Sequence, residues 1–134
     1  MKNAKIIIIA LVVLIVVLVG VIFLYVSAPK EEVTEYFLYD TGEVFVTNVL
    51  GSRALLKTHI TIELTNEDTL KFCESNQFKV RDTIIGILRS KPHEILASEE
   101  NTQQLKQEVL TTLSNKYELE GLENIYFNEF VIQQ

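Results

Sequence analysis

Between Ile6 and Val26 the chain runs for 21 residues in which only Gly20 falls outside the hydrophobic set. At 1.5 Å per helical residue this run spans about 32 Å, enough to cross a hydrocarbon core of about 30 Å. A cleaved signal peptide is the competing reading, with Val26-Ser27-Ala28 as its cut site. The run, however, exceeds the roughly 7 to 15 residues of a signal core, and Pro29 would follow the cut, so the uncleaved anchor is favoured. Lys2 and Lys5 precede the span whereas Glu31, Glu32 and Glu35 follow it. The positive-inside rule then keeps residues 1–5 in the cytoplasm, with 6–26 as the transmembrane helix and the body of the chain outside. The lipid bilayer is the partner of residues 6–26. Tyr25 carries the only polar side-chain atom of the span, so this helix offers no path for ions or protons. Gly20 has Val16 and Leu24 four residues away, so a small-xxx-small pairing motif is missing.

Charge and cysteine use narrow the remaining part. Lys2, Lys5 and Lys30 are three of the 12 basic residues, and all 18 acidic residues come after them, which leaves residues 31–134 with a net charge of −9. Neutralising phosphates needs clustered Lys and Arg, so nucleic acid is not an expected partner. The single Cys73 can neither close an intrachain disulfide nor supply a metal-ligand set, and no metal or cofactor is expected. A stretch of about 100 residues makes one folding unit with a modest core.

Residues 27–41 read as an acidic stalk and lead-in of limited reach, and 42–134 as the extracytoplasmic domain. Tyr36-Phe37-Leu38-Tyr39, just before the turn signal Asp40-Thr41-Gly42, suits a first buried strand or a contact patch for a partner; Tyr36, Phe37 and Tyr39 are the candidate contacts. From Glu43 the pattern alternates, with Val44 and Val46 opposite Phe45, Thr47 and Val49, until Leu50-Gly51-Ser52 interrupts it. A second run puts Leu56, Thr58, Ile60, Ile62 and Leu64 on one face and Lys57, His59, Thr61 and Glu63 on the other, which predicts a hairpin with one wet face. His59 then sits on the polar face with no second His or carboxylate spaced to help it.

Thr65-Asn66 followed by Glu67-Asp68 starts a short helix that turns Leu70 and Cys73 inward. A second helix runs from about 78 to 90, with Val80, Ile84, Ile85, Ile87 and Leu88 at helical spacing. Gly86 in its middle lowers helix propensity and predicts close packing against a neighbouring backbone. One turn fits Pro92 to Ala97, and Ser98 opens a long helix to about 116 that buries Leu105, Val109, Leu110, Leu113 and Tyr117. Glu118, Glu120 and Glu123 form an acidic loop around Gly121. In the closing strand, 125–133, Ile125, Phe127, Glu129, Val131 and Gln133 alternate with Tyr126, Asn128, Phe130 and Ile132, so both faces look apolar. Such a strand is expected at the centre of the sheet or under another subunit, with Phe127, Phe130 and Ile132 as candidate contacts. The whole reads as α+β, a transmembrane helix followed by a small antiparallel sheet with helices in the order β-β-α-α-α-β.

No catalytic constellation emerges, and an enzymatic role is not expected. Cys73 with His59 or His93 lacks a third group, Ser114-Asn115-Lys116 is a helix end, and the pairs Glu67-Asp68 and Glu99-Glu100 open helices. Gly-rich phosphate loop, HExxH and calcium-loop patterns are missing from the sequence. An anchored envelope enzyme acting on cell-wall material would need a carboxylate or nucleophile set in a cleft. A single-pass protein presenting a small α+β domain for binding or assembly fits better.

Several stretches together resemble the flagellar basal-body-associated family called FliL. They are the strand pair 43–64, the helix Arg81-Asp82-x-Ile84-Ile85-x-x-Leu88, the helix Leu105-Lys106-x-Glu108 and the ending Ile125 to Gln133. Asn48 matches the asparagine of the family's early strand, and the motif positions are Asn48, Arg81, Asp82, Ile85, Leu88, Leu105 and Glu108. One departure is Ser114 before Asn115, where the family's long helix often ends in Ile-Asn-x-x-Leu. The resemblance implies a stomatin/prohibitin-like outer domain. It also implies anchoring in the inner membrane at the flagellar basal body, with no enzymatic activity. The partners it implies are flagellar stator units, basal-body ring proteins and other copies of the chain in oligomeric rings. The implied role is support of torque, chemotaxis, motility and swarming. A stomatin-like scaffold without a flagellar connection is the remaining alternative.

Overall fold

The computed structural model describes residues 1–30 and 32–134, so Glu31 of the stalk lies outside the described residues. The chain divides into two compact units, Met1–Val33 and Thr34–Gln134. The first is a single helix, α1 (Lys2–Ser27), with no buried residue. It is long and apolar enough to cross a membrane, with a mean hydropathy of 3.8 over 18 residues.

The second unit is α+β. Its strands are β1 (Phe37–Asp40), β2 (Phe45–Asn48), β3 (Leu55–Leu64) and β4 (Leu122–Gln133). Its helices are α2 (Glu67–Ser75), α3 (Gln77–Arg89), α4 (His93–Leu96) and α5 (Glu99–Tyr117). The expected order β-β-α-α-α-β gains β1 in front and the single turn α4 between the second and the long helix. Residues 37–40 pair antiparallel with 61–64, which settles that segment as a strand. β2 and β3 make the expected hairpin, closed by Val49 N–H donating to the Ala54 carbonyl at 3.0 Å.

β3 is the central strand. β1 and β2 share one of its edges, end to end, and β4 covers the whole of the other. Its inward set Leu56, Thr58, Ile60, Ile62 and Leu64 is fully buried, and Lys57, His59, Thr61 and Glu63 face the open side as the alternation requires. The helices begin where side chains can occupy orphan backbone donors. Asn66 Oδ1 accepts from Asp68 N and Thr69 N at 2.9 and 3.1 Å, and Ser98 Oγ accepts from Asn101 N at 3.4 Å. α5 ends on Glu118 at φ 54°, a left-handed stop that releases Leu119 N–H to the Ser114 carbonyl. Helix side chains Val80, Ile84, Leu88, Leu105, Val109 and Leu113 then close over the inward face of the sheet.

β4 differs from its expected reading in two ways. It is an edge strand, since among the described residues only β3 pairs with it. Its alternation also breaks at a bulge, because His59 pairs with Glu129 and Ile60 with Phe127, leaving Asn128 as an extra residue. The extra residue reverses the parity of everything after it. Ile125, Phe127, Phe130 and Ile132 all lie on the helix side, with Phe127 and Phe130 rings 4.9 Å apart. Tyr126, Asn128 and Val131 are exposed on the other side. The two apolar faces are one apolar face in two registers. The bulge is pinned from both sides: Thr58 Oγ1 donates to the Glu129 carbonyl at 2.7 Å, and Asn128 Nδ2 donates to Thr61 Oγ1 at 2.7 Å.

Face assignment makes a sharp contrast between neighbours. Phe130→Asp should destabilise the domain by about 3 kcal/mol or more by placing a carboxylate against the core, whereas Val131→Asp should stay within about 0.5 kcal/mol of the parent. Deleting Asn128 should restore a regular ladder without moving any core side chain, so the thermal midpoint should drop only slightly. Circular-dichroism melts of the three variants check this, and equal losses for Phe130→Asp and Val131→Asp would contradict the bulge.

Candidate functional site

The motif positions divide into those that build the fold and those that reach the surface. Arg81, half-buried on α3, lies with its guanidinium 4.1 Å from the centre of the Phe45 ring, and its Nη1 donates to the carbonyls of Thr41 and Glu43 at 2.8 and 2.7 Å. It clamps the β1–β2 turn, where Gly42 at φ 90° leaves no room for a side chain beside Gln77. Asn48 at the end of β2 accepts from Arg89 Nε at 3.1 Å, tying the hairpin to the end of α3. Leu88 and Leu105 are core residues. These four positions are fully explained by packing and hydrogen bonding.

Asp82, Ile85 and Glu108 are different. Asp82 and Glu108 are exposed and Ile85 half-buried, and all three line a groove of about 520 Å³ between α3 and α5. Arg89, Ser90, Thr112 and Lys116 are among its other lining residues. Gly86 forms part of its floor, and a Cβ there would meet nothing within 4 Å. The expected close backbone neighbour of Gly86 is therefore not in this domain. Two of the charges on the walls are already engaged. Glu108 pairs with Lys91 at 2.6 Å, and Lys116 Nζ donates to Thr83 Oγ1 at 3.0 Å, within a relay from Thr83 Oγ1 to Tyr117 Oη and on to the Lys79 carbonyl. Among the described residues Asp82 makes no ion pair or side-chain hydrogen bond.

The open face of the sheet is a polar lattice with apolar ends. His59 Nε2 stands 3.0 Å from Asp40 Oδ1 and its Nδ1 is 3.4 Å from Asn128 Nδ2; Lys57 pairs with Glu129 at 3.0 Å and Tyr126 Oη donates to Glu63 at 2.9 Å. The carboxylate partner that spacing did not assign to His59 comes from β1, brought alongside by its pairing with β3. Hydrogen bonding from His59, with a further bond from the Gly42 amide, holds the Asp40 carboxyl below its ordinary range. Of the candidate contacts near the stalk, only Tyr36 is exposed. Tyr39 is 5% exposed and Phe37 packs on the core, which removes Tyr39 from any docking surface. Phe127, Phe130 and Ile132 are half-buried against the helices rather than presented outward.

Cys73 is buried, and desolvation pushes its thiol up to about 11, so it behaves as a packing residue. Desolvation likewise lifts Tyr39 to about 12. No group of three or more His, Cys, Asp or Glu placed to hold a metal ion occurs among the described residues.

A family model described as "Flagellar basal body-associated protein FliL" matches residues 38–133, which take in all four helices of the second unit and its sheet except for Phe37. The chain belongs to the FliL family. "Flagellar protein FliL" of Aquifex aeolicus (strain VF5) is 33% identical over 110 residues, which cover 80% of this chain and 68% of that protein. Membership makes this FliL-family chain a flagellar basal-body-associated protein, of an accessory family that is not a known enzyme family. Arg89 and Lys116, which share the groove with Asp82 and Glu108, were not singled out by sequence. Their signal was present for α3, since Arg89 follows Asp82 by two helical turns and so lies on its face.

The Asp40–His59 contact makes stability depend on pH. A depressed carboxyl contributes stability that is fully present above the ordinary aspartate range near 3.9 and is lost as pH falls through the lower folded value. With the Asp40 side chain 63% exposed, the contribution is small. Asp40→Asn should therefore be slightly less stable than the parent at pH 6 and indistinguishable from it near pH 2, as urea titrations at a series of pH values would show.

Proposed function

We propose that this chain is a single-pass anchor of the cytoplasmic membrane, with residues 1–5 inside, 6–26 spanning, 27–41 as an acidic stalk and 42–134 outside. The outer domain assembles with other copies beside or around flagellar stator units and against basal-body ring proteins. In doing so it supports torque, motility, chemotaxis and swarming. The observation that carries this reading is a FliL-family domain joined through a short stalk to an apolar helix with no Asp, Glu, Lys, Arg or His between Ile6 and Val26. Such a helix anchors but conducts nothing, so force-producing ion flow belongs to a neighbouring protein.

Its action is mechanical and thermodynamic. A domain that binds the active conformation of a stator more tightly than the inactive one shifts the population toward activity, and stator engagement in turn tightens its own binding. Asp82, Ile85 and Glu108 at the α3–α5 groove and Tyr36 at the start of the sheet are the contact residues. Phe127, Phe130 and Ile132 serve by holding β4 in register.

Deletion of the gene in frame should lower swimming and swarming speed while flagellar filaments per cell stay at the parental number, and the restored gene should recover both speeds. Normal speed on every surface would sink the stator-support role, and a loss of filaments would move the protein to assembly of the flagellum.

A further inference from the structure

The geometry points to the groove between α5 and the free edge of β4 as a docking site for an extended peptide segment of a different polypeptide, running antiparallel to β4 with basic side chains at its C-terminal end. This surface lies apart from the α3–α5 groove and goes beyond the proposed function.

A sheet edge beside a helix lets a peptide join as one more strand, with affinity from main-chain hydrogen bonds and specificity from pockets for alternate side chains. β4 supplies the edge. Among the described residues only β3 pairs with it, so alternate N–H and C=O groups on its other side face away from the sheet. Beside the start of the strand lies a groove of about 450 Å³. Gln107, Thr111 and Ser114 line it from α5, and their spacing of four and three puts them on one stripe. All three are uncharged and can bond a peptide backbone. Buried Leu110 and Leu119, with half-buried Leu122, make the apolar part of the lining.

The form of the edge suits a short segment. Glu63 pairs with Asn124 and Leu64 with Leu122, so Glu123 is an extra residue as Asn128 is. Between these bulges residues 124–127 keep a regular ladder to β3. Bulges bend and twist an edge, which hinders a long strand from a second sheet but leaves this window for a peptide.

The head of the groove is preformed and charged. Thr65 N–H donates to the Gly121 carbonyl at 2.8 Å, Thr69 Oγ1 to the Glu120 carbonyl at 2.7 Å and Ser114 Oγ to the Leu119 carbonyl at 2.7 Å, which fixes residues 119–121 and spares a ligand the cost of ordering them. Glu120 and Glu123 line the groove without a basic neighbour in its lining, and neither makes an ion pair among the described residues. An antiparallel strand brings its C-terminal end to this start of β4, so its Lys or Arg belongs there. The stalk of a second copy, with Glu31, Glu32 and Glu35, would meet like charge.

The test pans the full-length chain in nanodiscs against a displayed library of random peptides about nine residues long. Enriched sequences should alternate β-branched with other residues and carry Lys or Arg near the C-terminal end. The most enriched peptide is then synthesised with a fluorescent label and its affinity read by anisotropy. N-methylation of one set of alternate amides should weaken binding about tenfold or more, and methylation of the intervening set should change it little. Thr111→Trp and Glu120→Lys, both at exposed positions, should weaken binding by a similar factor with the thermal midpoint unchanged, and Glu94→Lys on α4 should not. No enriched sequence, equal tolerance of both methylation patterns, parental affinity in Thr111→Trp, or an equal loss in Glu94→Lys would each overturn the inference. Competition by a peptide of residues 28–36 would overturn it too, by making a second copy the occupant.

Discussion

The second unit depends on the two-sided pairing of β3. Ten residues, Leu55 to Leu64, carry a full ladder to β4 on one edge and are shared between β1 and β2 on the other. Antiparallel pairing on both edges fixes which way each side chain points, and the five inward residues become the floor on which four helices pack. Two hydroxyls there are answered by carbonyls: Thr58 donates to Glu129, and Thr41 Oγ1 at the end of β1 donates to the Ile60 carbonyl at 2.7 Å, whereas among the described residues Thr47 Oγ1 and Tyr39 Oη are buried without a partner. Buried polar atoms answered by a carbonyl cost little and pin the register of both neighbours.

What could be read from the sequence was whatever local chemistry decides. The caps at Asn66 and Ser98, the alternation of β3 and the inward stripe of α5 depend on residues within a few positions of one another, and each stands where spacing put it. β4 could not be read this way, because its parity depends on an inserted residue whose only justification is a partner strand some seventy positions earlier. A period of two assumes an unbroken ladder, and Asn128 breaks it. The pairing of Asp40 with His59 was hidden for the same reason, since β1 meets β3 only after β2 has been skipped. At the groove, the family resemblance supplied Asp82, Ile85 and Glu108 individually; their meeting is a product of how α3 and α5 pack.

The motif thus performs two kinds of work. Arg81, Asn48, Leu88 and Leu105 secure the turn, the hairpin and the core, and they free the outward stripe of α3 from structural duty. A helix whose inner face alone supplies its stability can carry a glycine and an unpaired carboxylate on its outer face at modest cost. That division fits an accessory protein of the flagellar basal body, in which the folded domain serves mainly to hold a surface in place.

The β3–β4 ladder also sets a timetable. Leu64 meets Leu122, and Leu55 meets Gln133, so the strand that seals the floor is made only after every helix that rests on it. Until then β3 presents a bare edge ten residues long, the kind of edge that recruits strands from other chains. Contacts this distant in sequence form slowly. The interval between synthesis of β3 and arrival of β4 is therefore when a crowded population of nascent chains is most exposed to mispairing, and factors that shield unpaired strands would matter most for this protein during that window.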